Sequence, residues 1–103
     1  MYIDIDKQLI PYRFDIELAG DLFTLDVNYN SRFDYFTIGI ERDGETLVAA
    51  EKLMLNKPLF STFTDVRFPG SYIIPFDEEG VDNRITYDNL GKTVFLFVGE
   101  DYE

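Results

Sequence analysis

The stretch Asp77-Glu78-Glu79-Gly80-Val81-Asp82-Asn83 is where this 103-residue sequence comes nearest to a metal loop. Carboxylate and amide oxygens suit a hard cation such as calcium, but the spacing lacks the helix-flanked loop with a Glu in its last position. A solvated hairpin turn is the expectation. Asp4 and Asp6 lie two apart and share a face if that segment is extended. A like-charged strand edge that resists aggregation fits them better than a cation site. Nucleophilic chemistry has little to draw on. The serines are Ser31, Ser61 and Ser71, none in a nucleophile-elbow context, and the sequence has no His and no Cys. Twenty acidic residues make chance carboxylate pairs inevitable, so the pairing that glycoside hydrolysis requires carries no weight. The glycines stand singly, with no phosphate loop. The expectation is a protein without catalysis, cofactor or metal.

The elements that must position these residues are strands. Three successive stretches between Arg13 and Glu41 alternate apolar and polar residues. Phe14, Ile16 and Leu18 alternate with Arg13, Asp15 and Glu17. Phe23, Leu25, Val27 and Tyr29 alternate with Thr24, Asp26 and Asn28. Phe36, Ile38 and Ile40 alternate with Tyr35, Thr37 and Gly39. A period of two puts each set on one face, which predicts an antiparallel meander with one buried side. Ala19-Gly20-Asp21 and Asn30-Ser31-Arg32 mark its turns, and Asp43-Gly44 is a two-residue hairpin signal leading to a fourth strand from Thr46 to about Met54. Leu59 to Phe68 reads as a loop carrying Phe60, Phe63 and Phe68 as plugs. Short strands follow at Ser71–Phe76 and Thr93–Val98, with a brief pairing expected at Ile85-Thr86-Tyr87. The fold class is all-β, a small antiparallel β-sandwich or a partly open β-barrel. We read residues 1–103 as one domain, with 1–10 an amino-terminal arm and 99–103 an acidic tail.

Charge narrows the partners. Twenty acids against nine bases give a net charge of −11, which disfavours nucleic acid because that binding neutralises phosphates with Lys and Arg. Residues 77–103 hold eight acids against Arg84 and Lys92, a net of −6. That acidity serves solubility, or it meets a basic neighbour in an assembly. The amino terminus shows no secretory signal, and the apolar run Val94–Val98 is too short to span a bilayer. A cytoplasmic, membrane-free protein is expected. In the final strand Val94, Leu96 and Val98 share one face, and Phe95 and Phe97 the other. Such a strand is either central between two layers or exposed at a protein contact.

Several strings, in order, resemble the phage baseplate plug family of contractile-tailed phages and prophages. They are Ile10-Pro11-Tyr12-Arg13-Phe14-Asp15-Ile16, Tyr29-Asn30-Ser31-Arg32-Phe33-Asp34-Tyr35-Phe36, Arg42-Asp43-Gly44, Lys57-Pro58-Leu59-Phe60, Arg67-Phe68-Pro69 and Asp88-Asn89-Leu90-Gly91, the last running into Val94-Phe95-Leu96. The resemblance implies a structural virion component at the tail tip, without enzyme activity or cofactor. It would be packed among tail hub, tube or spike proteins, as a possible homo-oligomer, after assembly in the bacterial host cytoplasm.

Expected contact residues are Tyr2, Ile3 and Ile5 of the arm, Phe60, Phe63 and Phe68 of the loop, and Phe95 and Phe97 of the last strand. Two other readings fit parts of the sequence. An acidic phage-encoded DNA mimic would explain the −11 charge, although the acids are divided between both ends of the chain. A carbohydrate-binding tail module would use Tyr35, Tyr72 and Tyr102.

Overall fold

The computed structural model describes residues 2–63 and 65–99. Its strands are β1 (Tyr2–Ile3), β2 (Tyr12–Leu18), β3 (Asp21–Asn30), β4 (Tyr35–Arg42), β5 (Glu45–Lys52), β6 (Tyr72–Asp77) and β7 (Val94–Gly99). The predicted meander is a four-stranded antiparallel sheet in the order β2-β3-β4-β5, and the other strands form a three-stranded antiparallel sheet in the order β1-β7-β6. The two sheets do not close into a barrel, so the sandwich is the form realised.

Local chemistry sets the hairpins. Ala19 and Gly20 have φ of 53° and 88°, and Asp43 and Gly44 have 54° and 80°. Two consecutive residues at positive φ match the right-handed twist of the flanking strands, which is why two-residue turns form there. The third turn is pinned differently: Asn30 Oδ1 accepts from the backbone N–H groups of Arg32 and Phe33. The fourth strand ends at Lys52 rather than near Met54. No strand forms at Ile85–Tyr87. That segment is held instead by side chains, because Asn89 Oδ1 accepts from Thr86 N and Asn89 Nδ2 donates to the Arg84 carbonyl.

Both sheets contribute to one core. Leu18, Phe23, Leu25, Val27, Phe36, Ile38 and Ile40 from the meander pack with Ile3, Ile73, Val94 and Leu96 from the smaller sheet. Leu53, Leu59, Phe60, Ile85 and Leu90 come in from the connections between strands. The alternation that predicted the inward face of the meander therefore matches the buried set.

The amino-terminal segment is not a free arm. Tyr2 pairs with Phe97 and Ile3 with Leu96, and Asp6 Oδ1 caps a short 3₁₀ turn at Lys7–Leu9 by accepting from Gln8 N. Lys7 Nζ then donates to the Tyr87 carbonyl at 2.5 Å and lies 4.8 Å from the Tyr87 ring centre.

Candidate interaction surface

Directly opposite residues in an antiparallel pair project from the same face of the sheet. In the three-stranded sheet Tyr2 lies opposite Phe97 and Phe97 opposite Ile74, while Phe95 lies opposite Phe76 and Gly99 opposite Tyr72. Ile73, Pro75, Val94 and Leu96 turn inward and are buried. Among the described strand residues the outer face is therefore Tyr2, Tyr72, Ile74, Phe76, Phe95 and Phe97, without a charged side chain. Tyr2 and Phe76 are 49% and 42% exposed, and Phe95 and Phe97 are half-buried.

Ring contacts join these side chains into one plate. The Tyr2 centroid is 4.8 Å from Phe95 and 6.1 Å from Phe97. Phe97 is in turn 6.3 Å from both Phe76 and Phe95, edge to face. These geometries suit the aromatic quadrupole and hold the rings in place. The Tyr72 ring occupies the space where Gly99 would carry a Cβ. Other apolar side chains are more exposed, including Phe33, Val66 and Val81, but single exposed residues are ordinary on a protein surface. A contiguous aromatic face is not.

The structure separates the expected contact residues. Tyr2, Phe95 and Phe97 come together on the plate. Ile3 and Phe60 do not reach the surface: they are 4% and 6% exposed and belong to the core. The reason is register for Ile3, which faces inward opposite Leu96. For Phe60 it is the tether between its N–H and Glu51 Oε2 at 2.9 Å. Ile5 is partly buried against the core. Phe63 and Phe68 stack on each other at 4.9 Å in the loop, and Phe63 lines a groove with Ser71 and Tyr72 at the edge of the plate. Phe76 was missed, although the alternation of Tyr72, Ile74 and Phe76 against Ile73 and Pro75 carries its signal. The tyrosines weighed for sugar binding are split between sheets, Tyr35 in β4 and Tyr72 in β6. Tyr102 and the acidic tail beyond Gly99 lie outside the described residues.

The acidic loop is organised around its own backbone. Asp77 is buried, its Oδ1 accepts from Glu79 N and its Oδ2 from Val81 N and Asp82 N, at 2.9, 3.1 and 3.0 Å. The Asp82 N–H foremost, with help from Glu79 and Val81, holds this carboxyl below the usual carboxylate range. Its oxygens are committed to shaping a turn. A second carboxylate staples distant segments. Asp34 Oδ1 accepts from the Tyr29 hydroxyl at 2.7 Å and from Tyr87 N at 2.8 Å, and Arg84 lies beside it. The Tyr29 hydrogen bond, then the Tyr87 N–H, lowers the Asp34 pKa, and the same hydrogen bond raises that of Tyr29.

An all-β sandwich with one polar and one aromatic outer face belongs to the class of domains whose recognisable feature is a surface rather than a cleft. Residues 1–101 match the family model described as cyanophage baseplate Pam3 plug gp18, and the chain belongs to that family. Membership gives it a structural role in a phage baseplate, in the virion tail among other baseplate proteins. No curated protein matches the chain.

Proposed function

We propose that this protein is a plug-type component of a phage or prophage tail baseplate that acts without catalysis, by docking on hub, tube or spike proteins at the tail tip. The observation that supports this most is the uncharged aromatic plate on the outside of the three-stranded sheet. Each ring already has a fixed neighbour, so little rotamer freedom remains to be lost when a partner covers the plate. Covering it removes apolar area from water, at about 25 cal/mol per Å². A plate of this size supplies only part of a stable interface, and repetition of the contact in an assembly makes up the remainder.

The test is titration calorimetry with the purified hub, tube and spike proteins of the same phage, each against the intact protein and the Tyr2→Ser/Phe76→Ser variant. Both side chains are about half exposed, so the variant should fold. Binding to one tail protein, lost in the variant, is the expected result. Absence of binding to all three at about 50 μM, a weak affinity by the standards of specific complexes, overturns the reading.

A further inference from the structure

We infer that the open edge of β2 docks a second copy of this chain, strand on antiparallel strand, with Phe14 facing Phe14 across a two-fold axis. This surface is separate from the aromatic plate, and the inference goes beyond the docking reading above without depending on it.

An edge strand offers unpaired N–H and C=O groups to any extended chain, and folds blunt such edges. Three of the four sheet edges are blunted here. β1 is two residues long, and β5 carries register irregularities against β4. On β6 the Ile73 and Pro75 carbonyls accept from Leu59 N and Asn56 N, and a proline has no N–H to offer. β2 differs. It is seven residues long and stands at the end of its sheet in unbroken register. Among the described residues, only β3 hydrogen-bonds to its backbone. The core is also open beside it. Val27, Leu25 and Phe23 on β3 are fully buried, while the residues opposite them, Tyr12, Phe14 and Ile16, are half-buried.

The occupant follows from the order of residues along the strand, Tyr12-Arg13-Phe14-Asp15-Ile16. Two such strands paired antiparallel about Phe14 set Arg13 of each copy opposite Asp15 of the other, and Tyr12 opposite Ile16. Opposite charges on directly facing residues favour a strand pairing, and like charges oppose it. Moving the centre by one residue sets Asp15 against Asp15 or Arg13 against Arg13, so one register stands out. A two-fold contact requires this self-complementarity, since residue i must meet j while j meets i. The charged groups have capacity left for it. Arg13 uses Nε and Nη2 on Asp26 and Glu41, and Asp15 uses Oδ1 on Thr24. That leaves Nη1 and Oδ2 for the other copy. The half-buried Tyr12, Phe14 and Ile16 gain cover at the same time, and the two four-stranded sheets become one continuous sheet.

The sequence has no Cys, so single cysteines test the register cleanly. Facing Cβ atoms in such a pair lie about 4.5–5.5 Å apart. Under mild oxidation Phe14→Cys should therefore cross-link to itself, while Tyr12→Cys and Ile16→Cys should cross-link only when mixed with each other. Sedimentation of the unsubstituted protein should show a dimer at about 100 μM, the weak range of an interface below standard size. Asp15→Arg should weaken that association about tenfold, because two facing ion pairs become repulsive. Arg13→Glu/Asp15→Arg should restore it. A monomer at this concentration, cross-linking at position 14 no faster than at 12 or 16, a double substitution that folds without restoring the dimer, or a dimer formed through Tyr2 and Phe76 overturns the inference. Should Phe14→Cys fail to fold, the charge exchange decides the matter alone. Because the plate lies on the other sheet, the Tyr2→Ser/Phe76→Ser variant should dimerise as the unsubstituted protein does, whether or not a tail protein binds.

Discussion

The two sheets are built from the same alternation yet present opposite outer faces. Outside the four-stranded sheet, Arg13 bridges Asp26 at 3.6 Å and reaches Glu41 across three strands, and Thr24 donates to Asp15 at 2.7 Å. Those charges are answered within the chain. Outside the three-stranded sheet the described strand residues are rings and Ile74, with no charged side chain, and Tyr2, Phe76, Phe95 and Phe97 are joined by ring contacts. A polar face whose groups are already paired gains little from a partner, since each ion pair would have to be desolvated again. An aromatic face gains from being covered. On the proposed docking reading, the paired polar side of the sandwich is the finished one and the aromatic side the one a neighbour would cover.

That contrast can be broken most directly at the plate. Replacing Tyr2 and Phe76 with Ser should weaken partner binding by about 100-fold, the loss typical of central aromatic contacts. Asp26→Ala/Glu41→Ala on the opposite face should leave the same titration unchanged, and equal losses would erase the distinction between the faces. Next in size is a comparison of two strand glycines by urea unfolding. A Cβ at Gly39 would collide with the Ala49 carbonyl, which is backbone and cannot step aside, whereas at Gly99 it would meet the Tyr72 ring, which can swing. Gly39→Ala should cost about 1–3 kcal/mol, and Gly99→Ala should cost less while loosening the plate.

Acid titration gives a smaller effect. The folded-state pKa values of Asp34 and Asp77 are depressed, so their contribution is present above the ordinary carboxylate range and is lost as pH falls through the depressed values. Asp77→Asn should therefore flatten the fall in stability at acid pH, measured as unfolding midpoint against pH. A profile identical to that of the unsubstituted protein would show that the loop carboxylate is not part of the acid response. The smallest effect is expected at Arg13. The Arg13 side of its ion pairs is exposed, so Arg13→Ala should change stability by less than about 1 kcal/mol and binding at the plate not at all.

Much of the larger sheet was legible because period-two alternation over whole strands leaves one register in which Phe23, Leu25 and Val27 share the core with Phe36, Ile38 and Ile40. The last strand was legible as two-faced for the same reason. Other features had no local signal. Two residues, Tyr2 and Ile3, are too few to show a period, so their pairing with β7 could not be read as a strand. Whether Phe60 or Phe63 faces solvent depends on Glu51 reaching the Phe60 N–H, a contact made only once β5 is in place. The Asp34 staple joins Tyr29, Arg84 and Tyr87, and its longest hydrogen-bonded separation is 53 residues. Alternation describes a strand and is silent about which loop lies over it. Phe76 differs, since its alternation was present in the sequence and only its consequence, an outward ring beside Phe95, awaited the register.

The pairing of Tyr2 with Phe97 sets a clock. The first strand of the small sheet waits for the last, and no three-stranded face exists until residue 99 has been synthesised. During most of translation the future plate is scattered among unpaired segments, while the meander, whose neighbours are close in sequence, can already fold. A partner that recognises the assembled rings would then ignore every incomplete chain. On the proposed docking reading, recruitment would be a proof of completion.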